Sequence, residues 1–245
     1  MILLLGLVVG SFLNVCIYRI PEGRSITYPP SRCPECRTRL SFRDLIPVLS
    51  WFMLKGRCAY CFKPISWRYP LVEGLTGLLF FLAWVNASYP VEAVKWMGLF
   101  AVLIVIAFID LDYQIIPDTL VLSIFLWGLF WQIIAPVQPF LQAAAGFLLG
   151  GGILFLTAVL SKGGMGGGDI KLLAAAGFIL GPVQTALALF VGVAVGSLVG
   201  VTMIWKKMKK RRDYIAFGPF LALGIVVTSL WGSHLLDWYL SLIGW

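Results

Sequence analysis

Aspartates set in apolar surroundings are the residues of this sequence best suited to chemistry. Asp169 follows three consecutive glycines and precedes an apolar segment. Asp110 directly follows another apolar run, and Asp112 and Asp118 come shortly after it. A charged side chain near hydrocarbon is costly, at least ~2.5 kcal/mol at the centre of a bilayer. In so apolar a chain, these carboxylates are therefore candidate functional residues.

Two carboxylates at one site can catalyse peptide hydrolysis. They cannot both ionise readily, so one keeps a proton. In aspartic proteases the ionised carboxylate takes a proton from water, and the protonated one donates to the scissile carbonyl. Asp110 and Asp169 form the candidate catalytic pair; Asp110 and Asp112 would face apart on a helix, so at most one should point at Asp169. Gly166 and Gly168 would let backbone approach Asp169 or a substrate strand closely.

Other interpretations of these aspartates remain open. Asp169 could be only the N-cap of a helix. Asp110, Asp112 and Asp118 could be interfacial carboxylates on a solvated loop, and Asp118 could cap a helix that starts at Thr119. A carboxylate cluster could also bind a divalent cation or carry protons in a transporter.

Two further kinds of site are poorly supported by the sequence. The single histidine, His234, is predicted near the outer face of the membrane, which disfavours Ser-His or Cys-His catalysis. No Gly-Lys-Ser or Gly-Lys-Thr follows the glycines, so they do not form a phosphate-binding P-loop.

The composition predicts an all-α polytopic membrane protein. Sixty per cent of the residues are hydrophobic and 12% are charged, too little polar surface for a soluble chain of 245 residues. Alternating strands of an outer-membrane barrel are not evident. Several apolar runs approach the ~20 residues that cross a bilayer.

About eight transmembrane helices are expected, near 1–18, 71–89, 91–109, 119–135, 140–160, 170–180, 183–205 and 215–238. The 170–180 segment is too short to cross alone, so we expect a short or partly re-entrant helix inside the bundle.

Residues 19–70 form the only sizeable polar insertion and carry a predicted metal site. Two C-x-x-C pairs with 21 residues between them are typical of a tetrahedral zinc site. So short and polar a loop has little core, and a structural zinc ion would stabilise it. A redox pair or four unligated thiols are the alternatives. The expected organisation is a first helix (1–18), a zinc loop (19–70) and a membrane core (71–245). The predicted ligands are Cys33, Cys36, Cys58 and Cys61.

Several smaller features of the first half also carry expectations. Gly6, Gly10 and Ser11 would permit close helix packing, and Asn14 is expected to hydrogen-bond between helices. Glu73 is open to two interpretations. It is either a first-turn carboxylate favoured by the helix dipole or a functional residue.

The basic residues predict the orientation in the membrane. Ten of the nineteen Lys and Arg residues lie between Arg19 and Arg68, and six lie in 206–212. Both stretches are predicted to be cytoplasmic, which places the N-terminus outside. We interpret them as topology signals, with possible contact to anionic lipid, and expect no nucleic-acid partner. With eight crossings, Asp110 and Asp169 both reach the cytoplasmic face.

These motifs together resemble those of the bacterial type IV prepilin peptidases, membrane aspartyl proteases of the GxGD class. The resemblance covers nearly the whole chain. It includes Gly-Ser-Phe-Leu-Asn-Val at 10–15, the two C-x-x-C pairs, Ile-Asp-Leu-Asp at 109–112, Gly-Gly-Gly-Asp at 166–169 and Phe-Gly-Pro at 217–219. By this resemblance, Asp110 and Asp169 are the catalytic aspartates.

The resemblance also implies substrates, a second activity and a location. The substrates would be prepilins and pseudopilins, cut after the glycine that ends a short basic leader. Members with the cysteine loop also N-methylate the new N-terminus with S-adenosylmethionine, although no Gly-x-Gly-x-x-Gly fingerprint is present here. The protein would lie in the bacterial cytoplasmic membrane. A proton- or ion-coupled transporter that uses the same aspartates and a zinc-stapled scaffold of a secretion system are the alternatives.

Overall fold

The chain is built of α-helices in the computed structural model, which describes residues 1–161, 164–207 and 215–242. The helix bounds agree with the expected spans to within a few residues. The helices within these residues are α1 (Ile2–Arg19), α2 (Leu49–Met53), α3 (Arg68–Asn86), α4 (Pro90–Tyr113), α5 (Asp118–Ile134), α6 (Phe140–Leu160), α7 (Gly167–Leu180), α8 (Pro182–Trp205) and α9 (Gly218–Leu242).

The expected class, an all-α polytopic membrane protein, is confirmed. Within the described ranges, six helices are long and apolar enough to cross a membrane: α1, α3, α4, α6, α8 and α9. Helix α5 has 17 residues and α7 has 14. The expected total of about eight crossings is therefore reached only if these two shorter helices cross as well.

The chain divides into two compact units, residues 1–105 and 106–245. The expected division at 1–18, 19–70 and 71–245 stays a prediction. In the first unit, α1 packs closely on α3. A Cβ added to Gly6 would lie 2.6 Å from Gly77 Cα, so the two backbones are in contact there. Asn14 donates a 3.2 Å hydrogen bond to the Tyr69 carbonyl, which confirms the expected interhelical bond.

Helix α7 is the centre of the second unit. It packs against α5, α6, α8 and α9, and every residue from 172 to 180 is buried. A Cβ at Gly146 or Gly177 would collide with backbone of the facing helix, so α6 and α7 approach at glycines. The expectation of a short helix held inside the bundle is confirmed. Because α7 cannot shift within this packing, the residues of its first turn have a defined place.

Candidate active site and metal centre

Asp110 is held at the start of helix α9. It lies in the last turns of α4 and is only 4% exposed. Its Oδ2 atom accepts a 2.9 Å hydrogen bond from the backbone N–H of Gly218, the first residue of α9. The first N–H groups of a helix have no partner within it, and this end carries partial positive charge. The start of α9 therefore provides a favourable place for the Asp110 carboxylate.

Asp169 lies in the first turn of α7, three residues after the N-cap residue Gly166. The expected alternative, that Asp169 is itself the N-cap, is therefore wrong. The backbone N–H of Gly166 acts electrostatically on the Asp169 carboxylate, as N–H groups at the start of a helix do on a nearby carboxylate. The residue is 4% exposed, and its Oδ1 atom is buried without a hydrogen-bond partner among the described residues. One carboxylate oxygen is therefore left for a proton, a water or a substrate.

The two carboxylates share one site. They are close enough for the charge of Asp110 to act on Asp169. Ile116 connects their surroundings, because Cβ atoms added to Gly168 and Gly218 would lie 2.8 Å and 3.2 Å from its side chain. The starts of α7 and α9 thus meet near the end of α4. Two buried carboxylates that interact electrostatically do not both ionise readily, so one of them keeps a proton.

The glycines before Asp169 differ in whether the structure requires glycine at their position. Gly166 has φ −72° and ψ 138°, a conformation that any residue can adopt. Gly168 needs to be glycine because its missing Cβ leaves room for Ile116. Approach of a substrate strand to Gly166 and Gly168 stays a prediction. Gly163, which begins the glycine-rich stretch, lies outside the described residues.

The other two aspartates point elsewhere. Asp112 is exposed, as expected if only one of Asp110 and Asp112 faces Asp169. Asp118 is the first residue of α5 and the N-cap residue is Pro117, so the expected role of Asp118 as N-cap for a helix starting at Thr119 is wrong. Instead its carboxylate forms a 2.8 Å ion pair with Lys171 of α7.

Sequence reasoning missed three contributors to this site. Gly218 belongs to the Phe-Gly-Pro motif at 217–219, but it acts through its backbone N–H, for which the motif gave no role. Ile116 looked like an ordinary apolar residue before a proline. Lys171 follows the Gly-Gly-Gly-Asp motif by two residues, but its partner Asp118 is 53 residues away in the sequence.

The four cysteines come together in two matching turns. In the first turn, Arg37 N–H donates to the Cys33 carbonyl and Cys33 N–H donates to the Thr38 carbonyl. Cys58 repeats both hydrogen bonds with Phe62 and Lys63. Arg37 and Phe62 both have φ 58°. Each turn therefore presents its two sulfur atoms to the same point.

The distances between the sulfur atoms suit a tetrahedral metal ion. All four Sγ atoms lie within 4.8 Å of one another, and those of Cys33 and Cys61 are 3.9 Å apart. A tetrahedral ion with Zn–S distances of about 2.3 Å would hold its sulfur ligands about 3.8 Å apart. Among the described residues this is the only group of three or more His, Cys, Asp and Glu ligands arranged for a metal. The cluster could therefore hold a metal ion, as expected.

Local hydrogen bonds prepare some of these thiols for metal binding. Bonds from the Thr38 side chain and backbone lower the pKa of Cys36 to about 6. The backbone N–H groups of Cys61 and Tyr60 lower the pKa of Cys58. For Cys61, a backbone bond from Lys63 lowers the pKa, but burial and the neighbouring sulfur atoms raise it to about 11. A cation would therefore be needed to bring all four thiolates together.

Comparisons with known proteins cover almost the whole chain. Residues 4–87 match the bacterial peptidase A24 N-terminal domain, and residues 97–201 match the type IV leader peptidase family. A prepilin leader peptidase/N-methyltransferase from Bacillus subtilis is 34% identical over 97% of this chain and 96% of its own length. Proteins of the same name from Dickeya chrysanthemi and Neisseria gonorrhoeae are 36% and 34% identical over 95% and 97% of this chain, and over 94% and 93% of their own lengths.

No solved structure matches the chain. The two domain matches fall on the halves that carry the cysteine cluster and the aspartate pair. The multiple apolar helices agree with a multi-pass protein of the inner membrane. With more than 30% identity to relatives over nearly its full length, the chain belongs to the type IV leader peptidase family, among the prepilin leader peptidase/N-methyltransferases.

Proposed function

We propose that this protein is a membrane aspartyl endopeptidase that removes the basic leader of type IV prepilins and pseudopilins after a glycine. The observation that carries the proposal is the pairing of Asp110 and Asp169, which are both buried and close enough to interact. The names of the relatives supply the substrate class. A transporter would need the same carboxylates, but no further observation favours it.

In the proposed reaction the two aspartates have different roles. The Gly218 N–H favours the ionised form of Asp110, so Asp110 takes a proton from the attacking water. Asp169 has a buried oxygen without a partner, so this oxygen carries the shared proton and donates it to the scissile carbonyl oxygen. The water oxygen bonds to the carbonyl carbon, giving a tetrahedral intermediate. As the C–N bond breaks, Asp110 gives its proton to the leaving amine, and a hydroxyl group of the intermediate returns a proton to Asp169 as the carbonyl re-forms.

The orientation proposed here places the active site at the cytoplasmic face and the N-terminus outside. Ten Lys and Arg residues between Arg19 and Arg68 support a cytoplasmic cysteine loop, since basic loops remain in the cytoplasm. Part of the second basic stretch, residues 208–212, lies outside the described residues. In this orientation a basic leader would approach the aspartates from the cytoplasm while its apolar helix stays in the bilayer.

The proposed cofactors are a structural zinc ion and S-adenosylmethionine. The distances between the sulfur atoms of Cys33, Cys36, Cys58 and Cys61 support zinc. The ion would stabilise the fold of a loop that has little hydrophobic core. The names of the relatives support methylation of the new N-terminus. When bound, S-adenosylmethionine would supply the methyl group, and no residue of this chain is assigned to it.

The test is cleavage of a purified prepilin by the detergent-solubilised protein, followed by mass spectrometry of the product. Wild type should release the leader after its terminal glycine and, with S-adenosylmethionine, add one methyl group of about 14 Da. Asp110→Asn and Asp169→Asn should remove cleavage, while Asp112→Asn, a matched control on the exposed side of α4, should retain it. Cleavage at the wild-type rate by either of the first two variants would refute the proposed site.

A further inference from the structure

The polar loop between α1 and α3 carries an exposed apolar surface around the short helix α2. Its large apolar side chains lie on and beside a 3₁₀ turn at Arg43–Leu45 and on α2. Their exposed fractions run from 36% to 86%. The members of this 42–53 surface are Phe42, Leu45, Ile46, Leu49, Phe52 and Met53. So large an apolar surface on a loop rich in arginine indicates a binding surface.

A buried glutamate fixes the level along membrane helix α3 at which α2 begins. The Val48 N–H, just before α2, donates a 2.7 Å hydrogen bond to Glu73 Oε2. Glu73 is five residues after Arg68, which begins α3, or about 7.5 Å along the helix. Helical side chains lean towards the N-terminus of their helix. The start of α2 is therefore level with the first turns of a membrane helix, close to the polar boundary of the bilayer.

Glu73 is built into the packing of α1 on α3. It is 7% exposed, and a Cβ added to Gly10 of α1 would lie 2.7 Å from its Cα atom. Val48 has φ 62°, an unusual conformation for a β-branched residue, and its hydrogen bond to Glu73 stabilises it. Glu73 lies in the second turn of α3, so the first-turn interpretation is wrong. It holds the loop against the membrane helices.

Trp51 of α2 packs against the residues that flank the second cysteine turn. Trp51 Nε1 donates a 3.1 Å hydrogen bond to the Ile65 carbonyl. The Trp51 ring also covers Gly56, where an added Cβ would lie 2.8 Å from a ring carbon. Gly56 comes two residues before Cys58. Helix α2 therefore contacts the flanks of the second cysteine turn through Trp51, while Phe52 and Met53 are exposed.

The charges around the 42–53 surface are those that favour an anionic lipid surface. Arg43, Lys55 and Arg57 are exposed next to it. The nearby carboxylate of Asp44 accepts hydrogen bonds from Ser41 and the Tyr60 hydroxyl. Apolar side chains flanked by basic ones are typical of segments that lie in the headgroup region of a membrane. The loop can reach the lipid headgroups, because it continues into membrane helices at both ends.

We infer that the 42–53 surface lies in the headgroup layer of the membrane from which α1 and α3 emerge, bound to anionic phospholipid. Glu73 sets its depth, and Trp51 connects it to the cysteine cluster. The loop between α1 and α3 is then attached to the bilayer at residues 42–53 as well as at its two ends. This inference does not depend on the peptidase activity.

Photo-crosslinking on the full-length protein tests the inference. The protein would be placed in nanodiscs that contain phosphatidylglycerol, with p-benzoyl-phenylalanine replacing Phe52 or, as the control, Glu35 of the first cysteine turn. Glu35 is also exposed but lies outside the apolar surface. After irradiation, mass spectrometry should find lipid adducts at least about fivefold more often at position 52, as expected for a segment within the headgroups.

Three other outcomes would overturn the inference. Equal lipid yields at positions 52 and 35 would mean that the loop has no preferred contact with the membrane. Adducts at position 52 with another part of the chain or with a second copy would identify a protein contact instead. Adducts formed only when a prepilin is added would assign the surface to the substrate. None of these outcomes bears on whether Asp110 and Asp169 catalyse cleavage.

A second measurement tests the contact without altering the buried hydrogen bond. Phe52 and Met53 are exposed, so Phe52→Ser/Met53→Ser should fold normally. In nanodiscs, hydrogen exchange of amides 49–55 should be faster in this variant than in wild type. It should also be faster when phosphatidylglycerol is replaced by a zwitterionic lipid. Exchange unchanged by both alterations would contradict the inference.

Discussion

The backbone N–H of Gly218 donates a 2.9 Å hydrogen bond to the Oδ2 atom of Asp110, 108 residues earlier in the chain. Asp169 itself belongs to the first turn of α7. Each carboxylate is thus placed at a helix N-terminus, where unpaired N–H groups and the helix dipole favour negative charge. Two buried carboxylates can therefore approach each other in an apolar bundle.

Adding one methyl group at Gly218 should disturb this hydrogen bond. A Cβ there would lie 2.7 Å from Asp110 Oδ2 and 3.1 Å from its Cγ atom. Because a shift of about 1 Å in a catalytic group can cost ~100-fold in rate, we expect Gly218→Ala to lower prepilin cleavage by a factor of this order. Gly152→Ala, where an added Cβ meets nothing within 4 Å, is the matched control. Equal cleavage rates for the two variants would contradict the assignment.

Alanine substitutions at the neighbouring glycines 167 and 168 should have very different effects on the cleavage rate. A Cβ on Gly168 would lie 2.8 Å from Ile116 Cβ, whereas one on Gly167 would meet nothing within 4 Å. Gly168→Ala should therefore displace either Ile116 or the first turn of α7 and slow cleavage at least about tenfold. Gly167→Ala should cleave at nearly the wild-type rate in the same assay. The opposite order would show that space for Ile116 is not what position 168 requires.

The ion pair between Lys171 and Asp118 should matter more for activity than for stability. Its side chains are 56% and 72% exposed, so each single substitution should change the free energy of unfolding by less than about 1 kcal/mol. The pair joins the starts of α5 and α7, a few residues from the contact of Gly168 with Ile116, so Lys171→Asp and Asp118→Lys should each slow cleavage several-fold. Combining them should restore much of the rate. A double variant slower than both singles would contradict this role.

The cysteine cluster should bind one metal ion per chain. Cys58→Ser should remove that ion, because the remaining three sulfur atoms leave the tetrahedron incomplete. Cys16→Ala is the control, since Cys16 is a free cysteine buried in α1 outside the cluster. Elemental analysis of the purified proteins measures the difference. Metal retained in full by Cys58→Ser, or lost from Cys16→Ala, would contradict the assignment.

Much of the site could be predicted because carboxylates are conspicuous in an apolar chain. Asp110 and Asp169 stood out for that reason, and the spacing of the cysteine pairs indicated the metal cluster. The Gly218 N–H could not be predicted, because a backbone donor belongs to every residue except proline and only the fold selects one. The pairing of Asp118 with Lys171 depends likewise on how α5 packs against α7.

The presence of each helix was predicted more accurately than the residue at which it begins. Apolar runs define the middle of a span, whereas its ends depend on local turns. Helix α3 starts at Arg68, before Pro70, which moves Glu73 into the second turn. Proline is tolerated in the first turn of a helix because its missing N–H has no partner there anyway. The role of Glu73 as an acceptor for Val48 depends on the folded loop and has no signal in the sequence.

A double-mutant cycle on the catalytic pair tests the central claim most directly. Cleavage of a purified prepilin would be measured for wild type, Asp110→Asn, Asp169→Asn and the double variant, with folding checked by thermal unfolding. If the two carboxylates act as one unit, the double variant should be no slower than either single variant, because each substitution alone already removes the shared function. Additive losses, or a single variant that cleaves like wild type, would show that Asp110 and Asp169 do not form one catalytic site.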